Sequence, residues 1–327
     1  MVLKKLIALF ALIVGAGSAS TFAQTPKVLK TAYVPSLSFA PAFLAAEKGY
    51  LEREGVQLEF QTVQGAADVV SLLATGQLDL ALVNVGATFF NGAARGFDTK
   101  IVGGISAYPV DPETRGPAPI LARKALVDGG AVKVLVDLKG RSFASNAPGG
   151  IVEYSLAREM QKVGLPFPAV KIERMAFPSI VIAMANGAVD SAVLPEPLAT
   201  SAISKGIGVP IVRNPVPGTL VGSVLFGKAV LADPNTGAAT LRALRLAVNE
   251  LQSDAQFFTA SNLAIWSKYT KVPTATIAMI STYAFPRDLV LDTKSLMDQQ
   301  KYLIEIGLVK TEVPLDKLVD RRFVVTR

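Results

Sequence analysis

The stretch Leu72-Leu73-Ala74-Thr75-Gly76-Gln77-Leu78-Asp79-Leu80-Ala81-Leu82-Val83 lies without a gap on Ala183-Met184-Ala185-Asn186-Gly187-Ala188-Val189-Asp190-Ser191-Ala192-Val193-Leu194. Each copy reads as the end of a helix, a Gly where a left-handed residue costs little, an Asp, and a short apolar strand of the kind covered on both faces. Outward from this phrase the two neighbourhoods stay alike. A strand precedes each copy: residues 56–61, where Val56, Leu58 and Phe60 alternate with Gln57, Glu59 and Gln61, and residues 170–175. Farther upstream each has a strand, a loop and a helix, at 33–48 and 142–163. In the first copy the strand is expected over 28–34 and the helix over 41–48, with Pro41 in its first turn and Gly49 to stop it. A further helix is expected over 67–75. Such alternation argues for parallel sheets with helices on both sides, and its repetition argues for two α/β lobes.

Past Gly206 the pattern changes. Residues 223–231 read as a strand, and Asp233-Pro234 opens a helix whose Leu241, Leu244, Leu246, Ala247 and Leu251 fall at helical spacing. The rest, including the single Trp266, is helix-rich and is expected to return over the first lobe. Residues 106–119, with Pro109, Pro112, Pro117 and Pro119, read as the first crossing between lobes and an exposed loop. The expected division is 24–106 plus 232–327 for the first lobe and 107–231 for the second.

Composition narrows the chemistry. The 327 residues are 50% apolar and 18% charged, with no His and no Cys. That is a folding composition for about two domains at roughly 150 residues each. Without imidazole or thiol there is no Ser-His-Asp triad, no Cys nucleophile, and no His/Cys zinc, haem or iron–sulfur site. Only carboxylate, Lys, Tyr or Ser/Thr chemistry remains, so a pure binding function gains weight and no metal, cofactor or catalytic residue is assigned; the alternative is an enzyme on the same scaffold using Glu196 or Tyr108 for acid–base work. Lys4 and Lys5, an apolar run over 6–14, small residues over 15–20 and then Thr21-Phe22-Ala23 read as a cleaved secretory signal peptide over 1–23. The formal net charge is +7, of which Lys4 and Lys5 supply two. With no Lys/Arg run after Lys5, nucleic acid is not an expected partner.

In an open α/β sheet, ligands bind beyond the carboxyl ends of strands, where helix N-termini offer N–H groups and partial positive charge. Two such turns stand out. Ser36, Leu37, Ser38 and Phe39 carry two hydroxyls at cap-like positions, and Ala147, Gly149 and Gly150 lie in a turn whose glycines let a ligand approach the backbone. Other strand ends feed the same region: Gly65, Asn84-Val85-Gly86, Ser106, Tyr108, Phe177 and Glu196. Asn84 and Ser106 can donate hydrogen bonds, and Phe39, Tyr108 and Phe177 can wall a cleft. Glu196 either accepts from a ligand amine or hydroxyl or caps the helix starting at Pro197.

The run from Phe39 to Gly55, FAPAFLAAEKGYLEREG, followed by Gly76-Gln77-Leu78-Asp79, Asp137-Leu138-Lys139-Gly140, Gly187-Ala188-Val189-Asp190 and Glu196-Pro197, resembles the periplasmic substrate-binding proteins of ABC importers for nitrate, taurine and aliphatic sulfonates. Binders of thiamine pyrimidine precursors belong to the same family. The resemblance runs from about Val28 to Glu250. It implies a type II periplasmic binding fold of two hinged lobes, a periplasmic location, a monomer, and an inner-membrane ABC permease as partner. The ligand contacts it implies fall on Ser36, Leu37, Ser38, Gly65, Asn84 to Gly86, Ser106, the Gly149-Gly150 turn and the Glu196 region. A pyrimidine synthase sharing the fold uses a histidine, which this chain lacks. Helix N-termini favour a small organic anion, such as a sulfonate; Glu196, if it lines the cleft, favours an amine or heteroaromatic ligand.

Overall fold

The computed structural model describes residues 25–63 and 69–326. The signal-peptide reading, Gly65 and the first turn of the helix expected from residue 67 lie outside them. Ten strands form two five-stranded sheets. The first holds β1 (Lys27–Tyr33), β2 (Val56–Thr62), β3 (Leu80–Val83), β4 (Lys100–Ala107) and β10 (Leu220–Phe226), in the order β2-β1-β3-β10-β4. The second holds β5 (Ile120–Arg123), β6 (Ser142–Ser145), β7 (Lys171–Arg174), β8 (Ser191–Val193) and β9 (Gly208–Val212), in the order β7-β6-β8-β5-β9. The two orders correspond strand for strand. In each, four strands run in one direction and one runs against them. That reversed strand, β5 or β10, is the one that enters from the other sheet.

Two corrections to the sequence reading follow. Strand β10 ends at Phe226 rather than at residue 231, because Gly227 packs its α-carbon against two carbonyls: an added Cβ would lie 2.8 Å from both Leu73 O and Leu78 O. The helix Lys228–Leu231 follows it. Moreover β10 pairs with β3 and β4, so the return crossing is the 213–219 segment and the strand expected in the second lobe belongs to the first sheet.

The repeated phrase has a structural purpose in both copies. The Asp79 carboxylate accepts from Lys30 N–H at 2.8 Å, fixing β1 beside β3. Its counterpart Asp190 accepts from Ser142 N–H at 3.2 Å, from the Ser142 hydroxyl at 3.1 Å and from Arg123 at 3.1 Å, fixing β6 beside β8. Burial opposes the charge on Asp190, but these donors outweigh it and hold the carboxyl below its ordinary value. A lowered folded value means stability present above the ordinary Asp range and lost as pH falls through the folded one. Asp190→Asn is therefore expected to lose about 1–3 kcal/mol at pH 7, in urea melts, with the gap to wild type closing below about pH 4.

The helices Pro234–Glu250 and Ala260–Thr270 pack over the first sheet's layer, against the helix Ala40–Glu47. Trp266 is fully buried there and donates to Phe257 O at 3.0 Å. The C-terminal part does more than cover the first lobe, however. The helix Thr293–Glu305 holds β10 through Ser295 Oγ, which accepts from Leu220 N–H at 2.9 Å. It also meets the helix Ile151–Lys162 through a 2.5 Å bond from Tyr154 to Asp298. No helix among the described residues is long and apolar enough to cross a membrane.

Candidate functional site

A cavity opens between the two sheets where the strand ends face each other. The first sheet's side contributes Val34, Ser36, Ser38, Phe39, Asn84 and Val221; the second's contributes Ile151, Val152, Phe177, Val193 and Pro195; Tyr108, Ala118 and Tyr283 close it behind. None of these side chains is charged. Water centres can occupy only ≈ 20 Å³ of it, room for one or two waters. In this conformation the walls therefore touch nearly everywhere.

The first turn arises because Ser36 is extended while Leu37–Phe39 form a single 3-10 turn. Ser36 Oγ accepts from Ser38 N–H at 3.2 Å and from the Ser38 hydroxyl at 3.0 Å. Leu37 faces the other way: it is fully buried, and its N–H donates to Glu196 O at 3.2 Å, a backbone bond across to the second lobe's loop. Asn84 Nδ2 donates to Val221 O at 2.6 Å, which ties the end of β3 to β10. Tyr108 and Tyr283 are buried phenols whose ionisation is pushed far up by desolvation, so both remain neutral hydroxyls. Tyr108 lies 3.4 Å from Ser155 Oγ, and Tyr283 is hydrogen-bonded to Ser36. Two helices begin at this cavity without a side-chain cap, at Ile151 and Phe177, while the one at Ala40 continues the 3-10 turn that Ser36 caps.

Of the residues singled out in the sequence, Ser36, Ser38, Phe39, Asn84, Tyr108 and Phe177 line the cavity. Val85 is buried beside it, and Gly86 stands against the second lobe, where a Cβ would come 3.6 Å from Gly149 O. Ser106 lies beneath the floor, its Oγ accepting from Gly222 N–H at 3.0 Å. Ala147 and Gly150 flank the entry to the helix Ile151–Lys162 but do not line the cavity.

Gly149 serves packing rather than open approach. Its φ is +61°, and a Cβ there would lie 2.4 Å from Leu303 and 2.8 Å from Leu308. Glu196 is also turned away: its oxygens accept from Thr200 N–H at 2.9 Å, the Thr200 hydroxyl at 2.7 Å and Ser281 N–H at 3.3 Å, with Arg115 at 3.4 Å. It caps the helix Leu198–Ser204, the second of the two readings its sequence allowed.

The cavity holds residues that the sequence did not mark. Val152 follows the marked glycine turn and Val193 sits at a strand end, so the rule that sites lie beyond strand ends reaches them. Tyr283 has no such signal. It arrives from the C-terminal part because Ala284 forms a bridge with Ala107 at the end of β4.

A family model described as the NMT1-like family matches residues 23–264. No protein of curated function is similar enough in sequence to count as a relative. Among solved structures, the alkanesulfonate-binding protein SsuA from Xanthomonas axonopodis pv. citri, bound to MOPS, is 19% identical, with a TM-score of 0.70 over 92% of this chain and 99% of that one. The periplasmic nitrate-binding protein NrtA from Synechocystis PCC 6803 is 14% identical, with a TM-score of 0.74 over 91% and 86%. A DszB cysteine-to-serine mutant in complex with biphenyl-2-sulfinic acid is 14% identical, with a TM-score of 0.61 over 91% and 97%. At these identities the likeness establishes the fold, that of the periplasmic binding proteins.

Proposed function

The chain belongs to the NMT1-like family, and from that premise we propose that it is a periplasmic solute receptor that captures a small organic anion between two lobes and delivers it to an ABC permease. The lobes are built on the two sheets, and the segments 108–119 and 213–219 joining them act as the hinge. The observation that carries the reading is the convergence of two uncapped helix starts, two serine hydroxyls and neutral phenols on one uncharged interlobe cavity. Helix N-termini stabilise an anionic head without an ionic side chain. The apolar remainder of the lining suits a carbon body.

Capture requires opening, because room for one or two waters does not admit a sulfonate. Contacts from both lobes to the ligand exist only when the lobes are together, so binding shifts the population toward the closed form. An amine ligand is disfavoured, since the Glu196 carboxylate is occupied by the protein's own donors. No carboxylate or lysine lines the cavity for acid–base work, and the chain has neither His nor Cys, which supports a receptor over an enzyme.

The test is thermal unfolding of the purified protein against methanesulfonate, butanesulfonate, taurine, nitrate and matched carboxylates. Saturation at about 100 times Kd is worth about 2.7 kcal/mol, which raises Tm by roughly 4 °C for a chain of this size. No shift with any anion, or an equal shift with neutral analogues, rejects the proposal.

A further inference from the structure

Outside the cavity, the helix Thr293–Glu305 joins the two lobes by side chains alone. It is fixed to the first lobe at the start of β10, where Ser295 Oγ accepts from Leu220 N–H at 2.9 Å and Gln299 Nε2 donates to Leu220 O at 3.0 Å. A stripe at helical spacing, Asp298, Tyr302 and Glu305, meets the second lobe. Tyr302 stands edge-on to Tyr154, with ring centroids 5.4 Å apart, and to Phe167 at 6.0 Å. The Arg158 guanidinium lies 5.2 and 5.5 Å from the Tyr154 and Tyr302 ring centres and pairs with Asp298 at 3.3 Å and Glu305 at 3.4 Å. None of Tyr154, Arg158, Asp298 and Tyr302 lines the cavity.

Two tendencies oppose each other in this contact. Each edge-on ring pair, and the guanidinium over the rings, favours contact by roughly two- to tenfold. Against them stands the Tyr302 hydroxyl: the residue is 2% exposed, and that oxygen has no hydrogen-bond partner among the described residues. A buried hydroxyl left unpaired disfavours the state that buries it by about tenfold or more. Separating the lobes gives up the ring contacts and returns the hydroxyl to water. Building on the hinged-lobe part of the receptor reading, we propose that Tyr302 is a positioning residue for lobe closure, whose ring latches the second lobe while its stranded hydroxyl resists closure. The balance sets how often the lobes are together. A ligand engages both lobes only in the closed form, so apparent affinity falls with the closed fraction, and by the same factor for every ligand. The latch thus tunes affinity without touching what is bound.

The experiment measures the separation of spin labels on Glu52→Cys and Lys139→Cys, one exposed site in each lobe, in protein freed of bound small molecules by unfolding and refolding. The chain has no Cys of its own to compete for label. The population at the separation of this structure counts as closed, and a second, open population is expected beside it. Tyr302→Phe keeps the ring and removes the stranded hydroxyl, so it raises the closed-to-open ratio about tenfold. Tyr302→Ala removes the ring and lowers the ratio at least tenfold. If Tyr302→Ala fails to fold, Asp298→Ala, at a half-exposed residue, carries the loosening arm with a several-fold fall. Both shifts are required: a ratio that either arm leaves unchanged, or that both arms move in the same direction, overturns the latch and leaves the hinged receptor standing. A single separation in every protein removes the hinge, and with it both the latch and capture by closure.

Discussion

Glu196→Ala is expected to destabilise the protein by about 3–5 kcal/mol in equilibrium denaturation at pH 7. The carboxylate is 1% exposed and is the acceptor for two backbone N–H groups, Thr200 and Ser281, that come from different parts of the chain. Alanine leaves both without that partner in a site closed to water, each at about 1–3 kcal/mol. Arg115, a third exposed, loses less because it can turn toward solvent. Glu196→Gln keeps the shape and separates packing from charge. Burial raises the Glu196 carboxyl above its ordinary value, with the bonds from Thr200, Arg115 and Ser281 opposing it. For a raised carboxyl the group's stabilising contribution is fully present below the ordinary Glu value and falls as pH rises through the folded one. The stability of wild type relative to Glu196→Gln should accordingly decline as pH rises from the ordinary Glu range toward neutrality. A difference that grows with pH over that interval would show that the donors, not desolvation, dominate.

The parts of the fold that local pattern governs were readable before any coordinates. The alternation from Val56 to Gln61 is β2, and the phrase carrying Asp79 and Asp190 recurs because in each lobe that carboxylate clamps two neighbouring strands together. Ser36, Ser38 and Asn84 were reachable because cleft residues follow strand ends, a rule of topology rather than of composition. What escaped depends on the other lobe. Strand β10 is buried throughout, and nothing in Leu220–Phe226 says which sheet receives it. Gly149 looked like room for a ligand, but its neighbours Leu303 and Leu308 lie about 150 residues away. Tyr283 enters the cleft by a bridge between Ala284 and Ala107, a contact with no counterpart in local periodicity. Glu196 was ambiguous for the same reason: a carboxylate at a strand end looks alike whether its donors are a ligand's or the protein's own.

Val152→Asp is expected to abolish anion binding while Val152→Asn weakens it only several-fold. Val152 is 2% exposed, lies in the first turn of the helix Ile151–Lys162 and lines the cavity. The two replacements match in size and shape and share the cost of losing an apolar wall and burying a polar group, so their difference isolates one negative charge. A unit charge about 4 Å from an anionic head, at an effective dielectric near 20, opposes it by about 4 kcal/mol, roughly a thousandfold in Kd. The carboxylate is costlier to bury than the amide, offset only in part by the about 0.3–1 kcal/mol an acidic side chain gains at a helix N-terminus, so urea melts first establish that both variants are folded under the titration conditions. Titration of both variants and wild type with butanesulfonate at fixed ionic strength reads the difference directly. Equal affinities for the Asp and Asn variants would mean that no anionic head sits at this helix start. The helix-terminus account of the cleft would then fall even if the protein still bound a neutral ligand.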